Sequence, residues 1–314
     1  MEILVLVEDS HGVVHRLSKE AISGAQAISS DVSVLVIGES SKKIATELTS
    51  FNLSEIITVE DALVESYNAD GYTEIVCRAI ETESPRLIFA GHTYQTRDFM
   101  PRVSARLNIP FIPDIISITN DGYTKQVLNA KLNATCSTIS EKTILSFQSA
   151  AFSADNIKPG SCEIRPLEMN LDSSVVRSVT EEPFQEASGD VDLEGADILV
   201  SVGRGIEKEE NINLAFELAE VLGAEVSASR PVVDSGWIDS FRQVGSSGSN
   251  VAPKLYFSVG ISGAIQHVVG MKGSKNILAI NKDRDAPIFE IADYAIIGNV
   301  LEILPKLTEK LKED

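Results

Sequence analysis

Short apolar runs alternate with amphipathic stretches along the first half of the chain. Runs of about four to eight apolar residues predict strands, and a 3.6-residue apolar period predicts helices. The predicted strands are 3–7, 32–37, 55–59 and 86–90, followed by 124–132 and 143–147 where the pattern beyond Ile115 becomes strand-like. The predicted helices between them are 18–27, 43–48, 72–82 and 98–107.

A second alternating series begins after a polar, acidic and weakly periodic stretch at 169–196, which places a domain boundary near residue 190. Its predicted strands are 198–202, 225–228, 254–259, 276–281 and 294–297. Its predicted helices are 211–222, 262–271 and 300–311.

Continuous apolar strands separated by helices predict an α/β protein whose sheets are mostly parallel and covered on both faces. The expected architecture is two doubly wound domains, residues 1–190 and residues 191–314, the second a Rossmann-like unit. The first sheet is similar to folds that bind adenine nucleotides. Ligands of such sheets bind beyond the carboxyl ends of the strands. The loops after Val202, Ala228, Val259 and Ile280 should therefore face one crevice.

Composition and charge narrow the class of protein. The 314 residues suit two domains, and 43% hydrophobic with 23% charged residues is the mix of an ordinary globular protein. The net charge of −19 makes nucleic acid and anionic membranes poor partners. Solubility is the simpler explanation of this acidity, and steering of a basic protein partner is the other.

The cysteines, the histidines and the N-terminal segment give no indication of a metal site or of export. The three cysteines (Cys77, Cys136 and Cys162) form no CxxC pair, which argues against an iron–sulfur or structural zinc site and suits a reducing cytosol. The four histidines show no metal-ligand spacing. The opening MEILVLVEDS lacks the features of a signal or transit peptide, and no apolar run is long enough to span a bilayer. We therefore expect a cytoplasmic protein without membrane insertion.

The loops of the second series share a chemistry of glycines, hydroxyls and arginines. Their residues are Gly203, Arg204 and Gly205, then Ser229 and Arg230, then Gln243 with 245–248, and finally Gly260, Ser262, Gly263, Gln266 and His267. Glycines allow close backbone approach to a ligand, a helix beginning near Ser262 would offer free N–H groups, and two arginines favour an anion. Each feature alone is commonly a turn, a cap or a structural residue, and the GxGxxG and Walker patterns are missing. Their clustering on successive strand ends favours a binding site.

The run PKLYFSVGISGAIQHVVGMKGSKNILAINKDRDAPIFEIADYAIIGNV resembles the signature of electron-transfer flavoprotein alpha subunits. The preceding GRGI, ASRPVVDSGW and RQVGSSG segments have the order and spacing of that family. This resemblance covers residues 197–314. The N-terminal half resembles the family more loosely, through its sheet pattern and the segment GHTYQTRDFMPRVSARL.

The resemblance implies FAD bound in the C-terminal domain, and it implies a role for each matching residue. Arg204 matches a cofactor contact in the GRG turn, and Ser229 and Arg230 match the pair beside the isoalloxazine ring. Val244, Gly245, Ser246 and Ser247 match the loop at the N5 edge of the ring. The turn and helix start that hold the ribityl–pyrophosphate region and the pyrimidine end match Ser262, Gly263, Ala264, Ile265, Gln266 and His267. Asn281 matches an adenosine contact, and Asn299 and Val300 match a further contact pair.

These roles fit the chemistry of a flavin, which gains negative charge over N1 and O2 on taking one electron. His267 as a donor at that end and Arg230 as a fixed positive charge would stabilise this charge. A charge-assisted contact is worth about 1.5–3 kcal/mol, which moves a one-electron potential by several tens of millivolts. Two positions depart from the family pattern: Ser247 where many members have threonine, and Asn299 where others often carry aspartate. The strand 146–152 also lacks an arginine often found there.

The resemblance further implies a heterodimer with a beta subunit that carries AMP or a second FAD. The chain would then be a redox carrier rather than a stand-alone enzyme. Electrons would come from flavin dehydrogenases such as acyl-CoA dehydrogenases and pass to a quinone oxidoreductase or another acceptor. One alternative is an electron-bifurcating complex that uses NADH, and another is a non-redox regulatory module that binds adenine nucleotides. A hydrolase is disfavoured because the sequence offers no nucleophile–His–acid set.

Overall fold

The computed structural model of the protein describes residues 1–10, 12–119, 121–128, 132–178, 191–193 and 195–313. The chain divides into two compact units, Met1–Val127 with Asn133–Gln185 and Leu128–Leu132 with Glu186–Asp314. The predicted boundary near residue 190 falls within 179–190, outside the described residues. No helix of the described part is both long and apolar enough to cross a membrane.

The first unit is an α/β unit built on one large sheet. Its strands are β1 (Ile3–Val7), β2 (Asp9–Ser10), β3 (Val13–Val14), β4 (Val32–Ile37), β5 (Glu55–Val59), β6 (Leu87–Gly91), β7 (Phe111–Thr119), β8 (Gly122–Val127), β9 (Leu132–Cys136), β10 (Thr143–Phe147) and β11 (Ile164–Pro166). Its helices are α1 (Arg16–Ile28), α2 (Ser41–Leu48), α3 (Ala69–Glu83) and α4 (Tyr94–Leu107). Nine of these strands form the sheet in the order β11-β5-β4-β1-β6-β10-β7-β8-β9, while β2 and β3 pair separately.

The strand pairs of this sheet are parallel from β11 to β7, and β7 pairs antiparallel with β8. Every residue of β1, β6 and β10 is buried. Strands buried on both faces favour continuous apolar runs, which explains the ILVLV segment of β1 and the LIFAG segment of β6. Because β1 pairs with β4 on one side and with β6 on the other, the order of the strands reverses between β1 and β6.

The second unit is a smaller, fully parallel sheet with helices on both faces. Its strands are β12 (Ile198–Val202), β13 (Glu225–Ser229), β14 (Gln243–Val244), β15 (Leu255–Val259), β16 (Ile277–Asn281) and β17 (Tyr294–Ile297). Its helices are α5 (Asn213–Leu222), α6 (Arg230–Asp234), α7 (Ile265–Met271) and α8 (Val300–Glu313). The sheet order is β14-β13-β12-β15-β16-β17, so the strand order reverses between β12 and β15.

The two faces of the second sheet differ in polarity. One face packs Val200, Val202 and Phe257 against Leu218 of α5 and Leu304 of α8 in a wholly apolar core. The opposite face carries Leu199 and Tyr256, and also the buried hydroxyls of Ser201, Ser227 and Ser258. Because alternate residues of a strand face opposite sides, each strand contributes to both surfaces.

Several predicted elements needed correction. The helix predicted to start at Ser262 begins at Ile265, because Gly263 adopts φ +88° and Ala264 is the residue that precedes the first turn. The strand predicted over 124–132 ends at Val127, since Leu128 turns at φ +53°, and a separate strand begins at Leu132. The sequence patterns also missed the nine-residue strand β7 and the short elements β2, β3, β11, β14 and α6, which are two to five residues long.

Candidate functional site

A cavity of about 720 Å³ opens at the carboxyl edge of the second sheet, where the strand order reverses. This volume lies within the roughly 300–1,000 Å³ range of small-molecule sites. Residues from all the predicted loops line it. The lining consists of Gly203, Arg204, Gly205, Glu207, Ser229, Arg230, Pro231, Asp234, Val244, Gly245, Ser246, Ser247, Gly260, Ile261, Ser262, Ala264, Gln266, His267, Asn281, Lys282, Asp283, Ala286 and Pro287.

Three glycines hold the backbones of two loops together at the reversal point. A Cβ on Gly203 would lie 2.3 Å from the Gly260 carbonyl oxygen, and one on Gly205 would lie 2.6 Å from the Gly260 Cα. Gly260 itself adopts φ +63°, a conformation that favours glycine. The Gly205 N–H donates to the Gly260 carbonyl at 3.0 Å. The loops after β12 and β15 therefore meet without side chains between them, which leaves the cleft open to a ligand.

A second close approach fixes the loop after β14 against α7. A Cβ on Gly270 would lie 2.4 Å from the Gly245 backbone nitrogen. The Ser246 N–H donates to the Gln266 carbonyl at 2.7 Å. The Ser247 hydroxyl accepts from the Gln243 side chain at 3.0 Å. These bonds place the 244–247 loop beside the first turn of α7, so that both line the cavity.

The positive charges of the cavity come from the two predicted arginines and from Lys282. Arg230 pairs with Asp234 at 3.4 Å and Lys282 pairs with Glu207 at 3.3 Å, and all four side chains are largely exposed. Exposed pairs of this kind are worth about 0–1 kcal/mol. Arg204 forms no ion pair with the described residues. An anionic ligand can therefore compete for these cations at low cost.

His267 and Ser229 are the two buried polar residues of the cavity lining, each with 6% of its surface exposed. The His267 Nδ1 lies 3.1 Å from the Val244 carbonyl oxygen, and its Nε2 lies 2.8 Å from the Tyr256 hydroxyl. Burial lowers the pKa of His267 to about 4, while the Val244 carbonyl acts in the opposite direction. The ring is therefore neutral at pH 7. Because a carbonyl only accepts, Nδ1 carries the proton and Nε2 accepts from Tyr256.

In the structure, His267 can donate a hydrogen bond to a ligand only under one condition. Both of its ring nitrogens already bond protein groups, so donation to a ligand requires the exchange of one of these partners. Asn281 is similarly engaged: its amide donates to the Ile261 carbonyl at 2.9 Å and accepts from the Asp283 N–H at 3.0 Å. Ser229, by contrast, lines the cavity with a hydroxyl that bonds no described residue.

Four of the predicted binding residues do not line the cavity. Gly263 packs against the backbone of Ile288, where a Cβ would lie 2.2 Å from the Ile288 nitrogen. Ile265 is 47% exposed, and Val300 is buried in the apolar core under α8. The Asn299 side chain accepts from the Leu301 N–H at 3.0 Å at the start of α8. Contacts of these residues with a cofactor stay predictions.

The sequence interpretation missed part of the lining, notably Gly203, Gly205 and Gly260 as a set and the 282–287 segment. The glycines were quoted as local loop features, but their contact with one another depends on β12 and β15 being neighbours. The alternating pattern gives no strand order, so this contact was not readable from the sequence.

A larger cavity of about 960 Å³ lies in the first unit, at the amino ends of β4 and β5. Its cation, Arg165, bonds Glu55 at 2.7 and 3.1 Å and Glu83 at 2.8 Å. None of the predicted binding residues lines it. Among the described residues, no group of three or more His, Cys, Asp or Glu side chains is arranged to hold a metal ion.

A doubly wound sheet with a glycine-lined, arginine-bearing cleft at its reversal point defines a dinucleotide-type binding unit. Comparison with known proteins agrees with this class. Residues 192–272 match the electron transfer flavoprotein FAD-binding domain, and residues 3–171 match the electron transfer flavoprotein domain. The chain belongs to the family of electron transfer flavoprotein alpha subunits, and the cofactor of its second unit is FAD.

Several relatives align over nearly the whole chain. The electron transfer flavoprotein subunit alpha of Bacillus subtilis (strain 168) is 37% identical over 321 residues, covering 99% of this chain and 98% of the relative. The subunit of the same name from Megasphaera elsdenii is 33% identical over 325 residues, covering 99% and 96%. Protein FixB of Clostridium saccharobutylicum is 33% identical over 322 residues, also covering 99% and 96%. The alignment therefore extends through both units.

Proposed function

We propose that this chain holds one FAD in the cavity of its second unit and carries electrons as the alpha subunit of a heterodimer. The single observation that carries the proposal is the glycine-walled cleft with Arg204 and Arg230 on its edge, in a unit matched by a FAD-binding family. The partner is a beta subunit that carries AMP or a second FAD. We also propose a cytoplasmic location, since the three cysteines are free.

The residues present fit FAD, because a flat ring with polar edges and a diphosphate needs both apolar contact and donors. Pro231, Ile261 and Pro287 supply apolar surface, and Ser229 and Ser247 supply hydroxyls. We assign the arginines to the negative charge of the cofactor. FAD supplies the electron-accepting ring when bound, and the protein positions that ring and sets its electrostatic surroundings.

The contribution of Arg230 follows from its fixed charge next to the cleft. A charge-assisted contact of about 1.5–3 kcal/mol that forms only with the reduced ring raises a one-electron potential by about 60–130 mV. We assign Arg230 to this effect and Arg204 to binding. The role of His267 as a donor to the pyrimidine end remains part of the proposal, with the condition that one of its two protein partners is exchanged.

The physiological donors proposed are flavin dehydrogenases such as acyl-CoA dehydrogenases, and the proposed acceptor is a quinone oxidoreductase or another electron carrier. A bifurcating complex that uses NADH is a variant of this proposal. It differs in the beta subunit, which would then carry the second FAD. Counting cofactors separates the two: one flavin and one AMP per heterodimer for the simple carrier, two flavins for the bifurcating complex.

A non-redox regulatory role that relies on adenine nucleotide in the first unit is less favoured, because a carboxylate occupies the corresponding position there. Glu8 follows β1 and accepts from the hydroxyls of Thr93 and Thr96 at the start of α4. A nucleotide phosphate at that helix start would meet this negative charge.

The test is to purify the chain with its partner subunit, record the absorbance spectrum and extract the cofactor. The proposal expects the yellow spectrum of a bound flavin and about one FAD per alpha chain. Reduction by a flavin dehydrogenase and reoxidation by a quinone oxidoreductase would support the carrier role. A colourless complex that releases no flavin and takes up none from added FAD would contradict it.

A further inference from the structure

Behind the cavity lies a buried polar cluster that includes no part of the cavity lining except His267. Tyr256 is fully buried on β15, and its hydroxyl is the partner of the His267 Nε2 at 2.8 Å. The three buried serine hydroxyls Ser201, Ser227 and Ser258 occupy matched positions on β12, β13 and β15. Residues in register on parallel strands point to the same face, and Tyr256 shares it because it precedes Ser258 by two residues.

The three serine hydroxyls are buried without a hydrogen-bond partner among the described residues. A buried hydroxyl that makes no bond is unusual and costly. Burial raises the pKa of Tyr256, and the side chains of Ser201 and Ser227 act in the opposite direction. Tyr256 starts on β15 and its hydroxyl reaches His267, which bonds Val244 on β14, so the Tyr256 side chain extends across β12 and β13, the strands between them. Ser201 on β12 and Ser227 on β13 therefore lie along the path of Tyr256, whereas Ser258 lies on β15 itself.

We propose that Tyr256 is a positioning residue for His267 and that Ser201 and Ser227 are alternative acceptors for its hydroxyl proton. In the observed arrangement Nδ1 donates to Val244 and Tyr256 donates to Nε2. When negative charge enters the cavity, a proton from solvent binds Nε2. The Nε2–H then donates to the Tyr256 oxygen, and the Tyr256 hydroxyl turns to Ser201 or Ser227. One proton is gained and both ring nitrogens keep their protein partners. In this state His267 acts on the reduced ring through its positive charge, whereas the donor role would require exchange of the Tyr256 partner.

This inference rests on the proposed function only for the source of the negative charge, which is the reduced flavin. A neutral histidine that is 6% exposed has no reason to gain a proton unless the resulting cation is compensated. The reduced flavin supplies the compensating charge, and the serines supply the acceptor that Tyr256 needs. The proposal thus explains two of the three unpartnered hydroxyls, those of Ser201 and Ser227, together with the orientation of His267.

The test is ¹⁵N NMR of the histidine rings in the full chain with its partner subunit, first free of flavin and then with FAD oxidised and reduced. The chain has four histidines, so His267→Gln assigns the signal. The flavin-free protein should show a neutral ring protonated at Nδ1. Reduction of bound FAD should raise the pKa of His267 from about 4 to about 7 or above, about a thousandfold gain in proton affinity, because a smaller rise would leave the ring neutral at pH 7.

Two test variants, each with a matched control, separate the roles within the cluster. Tyr256→Phe should allow the His267 ring to populate a mixture of tautomers. The control is Tyr294→Phe, at a tyrosine that is 61% exposed, which should leave the His267 tautomer unchanged. Ser201→Ala with Ser227→Ala should keep the Nδ1 proton but abolish the rise on reduction. Ser258→Ala removes an equally buried hydroxyl and should change neither the tautomer of His267 nor the rise of its pKa on reduction.

Two results would overturn the inference: a wild-type ring protonated at Nε2, or an unchanged rise in the serine double variant. The serine variants only remove unpartnered groups, so they keep the inference testable if Tyr256→Phe fails to fold. Failure of the complex to bind FAD would contradict the proposed function, while the flavin-free spectrum would still decide the role of Tyr256.

Discussion

The two units place different side chains at the same topological position. In the first sheet the strand order reverses between β1 and β6, and there Glu8 bonds Thr93 and Thr96 across the gap. In the second sheet it reverses between β12 and β15, and there the loops meet at glycines that leave the cleft open. A doubly wound sheet thus offers a ligand position in both units, and the side chains after the strands decide whether it stays open.

The packing around the first position reinforces its closure. Tyr67 and Tyr72 stack edge to face at 4.8 Å, and the Tyr72 hydroxyl donates to the Ile37 carbonyl at 3.3 Å beyond β4. The second position has no comparable aromatic side chain in its lining. A nucleotide-type fold therefore does not by itself locate a ligand.

The largest effect should come from closing the open position. Gly260→Ala places a Cβ 2.7 Å from the Gly205 Cα in a backbone at φ +63°, and we expect the purified variant to retain essentially no FAD, a larger loss than removal of the charges causes. Gly223→Ala is the matched control, because Gly223 adopts φ +60° with nothing within 4 Å of an added Cβ. Flavin absorbance per protein measures both. Equal flavin content in the two variants would show that the glycine contact is not needed.

A second prediction concerns the charges on the open edge. Removing both arginines in Arg204→Ala with Arg230→Ala should weaken FAD binding by about 3 kcal/mol or more, over a hundredfold. Arg230→Ala alone should also lower the flavin potential. Titration of the apoprotein with FAD gives the affinity, and Arg284→Ala is the control because Arg284 does not line the cavity. Unchanged affinity in the double variant would remove the arginines from the site.

A third prediction uses the neutral His267. In the unfolded chain the His267 ring takes up a proton near pH 6.5, but in the native chain it does so only near pH 4. The stability contributed by the neutral ring is therefore complete above pH 6.5 and is lost as the pH falls toward 4, by up to about 3 kcal/mol. Urea unfolding of the flavin-free chain across this range measures it. His267→Gln should reduce the slope, and an identical slope in both proteins would contradict the assignment.

The smallest effect should come from opening the closed position. Glu8→Ala leaves the Thr93 and Thr96 hydroxyls without their carboxylate, at a cost of about 1.5–3 kcal/mol in the free energy of unfolding. Glu8→Gln keeps an acceptor and should recover part of this loss. FAD content should be unchanged in both variants. Loss of FAD from Glu8→Ala in a protein that remains folded would break the contrast between the units.

Long apolar strands and amphipathic helices were predictable from the sequence, and 3–7, 32–37, 55–59, 143–147, 198–202 and 294–297 coincide with strands of the structure. All of these strands except 294–297 are almost entirely buried, and strands buried on both faces are largely apolar. The short α6 and β11 were not predictable, because three to five residues carry no periodicity. The strand predicted over 124–132 likewise ended early, because Leu128 adopts a positive φ.

The arginines, hydroxyls and loop glycines of the site were identified from the sequence because they follow predicted strands directly. The partners of His267 were not, since Tyr256 lies 11 residues away on another element and looks like a core aromatic in an apolar run. Contacts that depend on strand order, such as Gly203 with Gly260, also required the structure.

The most direct measurement is hydrogen exchange of the complex with and without FAD, followed by peptide at both reversal points. We expect FAD to protect peptides covering 203–206, 229–234, 244–247 and 260–267. We expect no change in peptides covering 8–10 and 91–97. Protection at the first position, or none at the second, would contradict the claim that the open edge of the second sheet is where FAD binds.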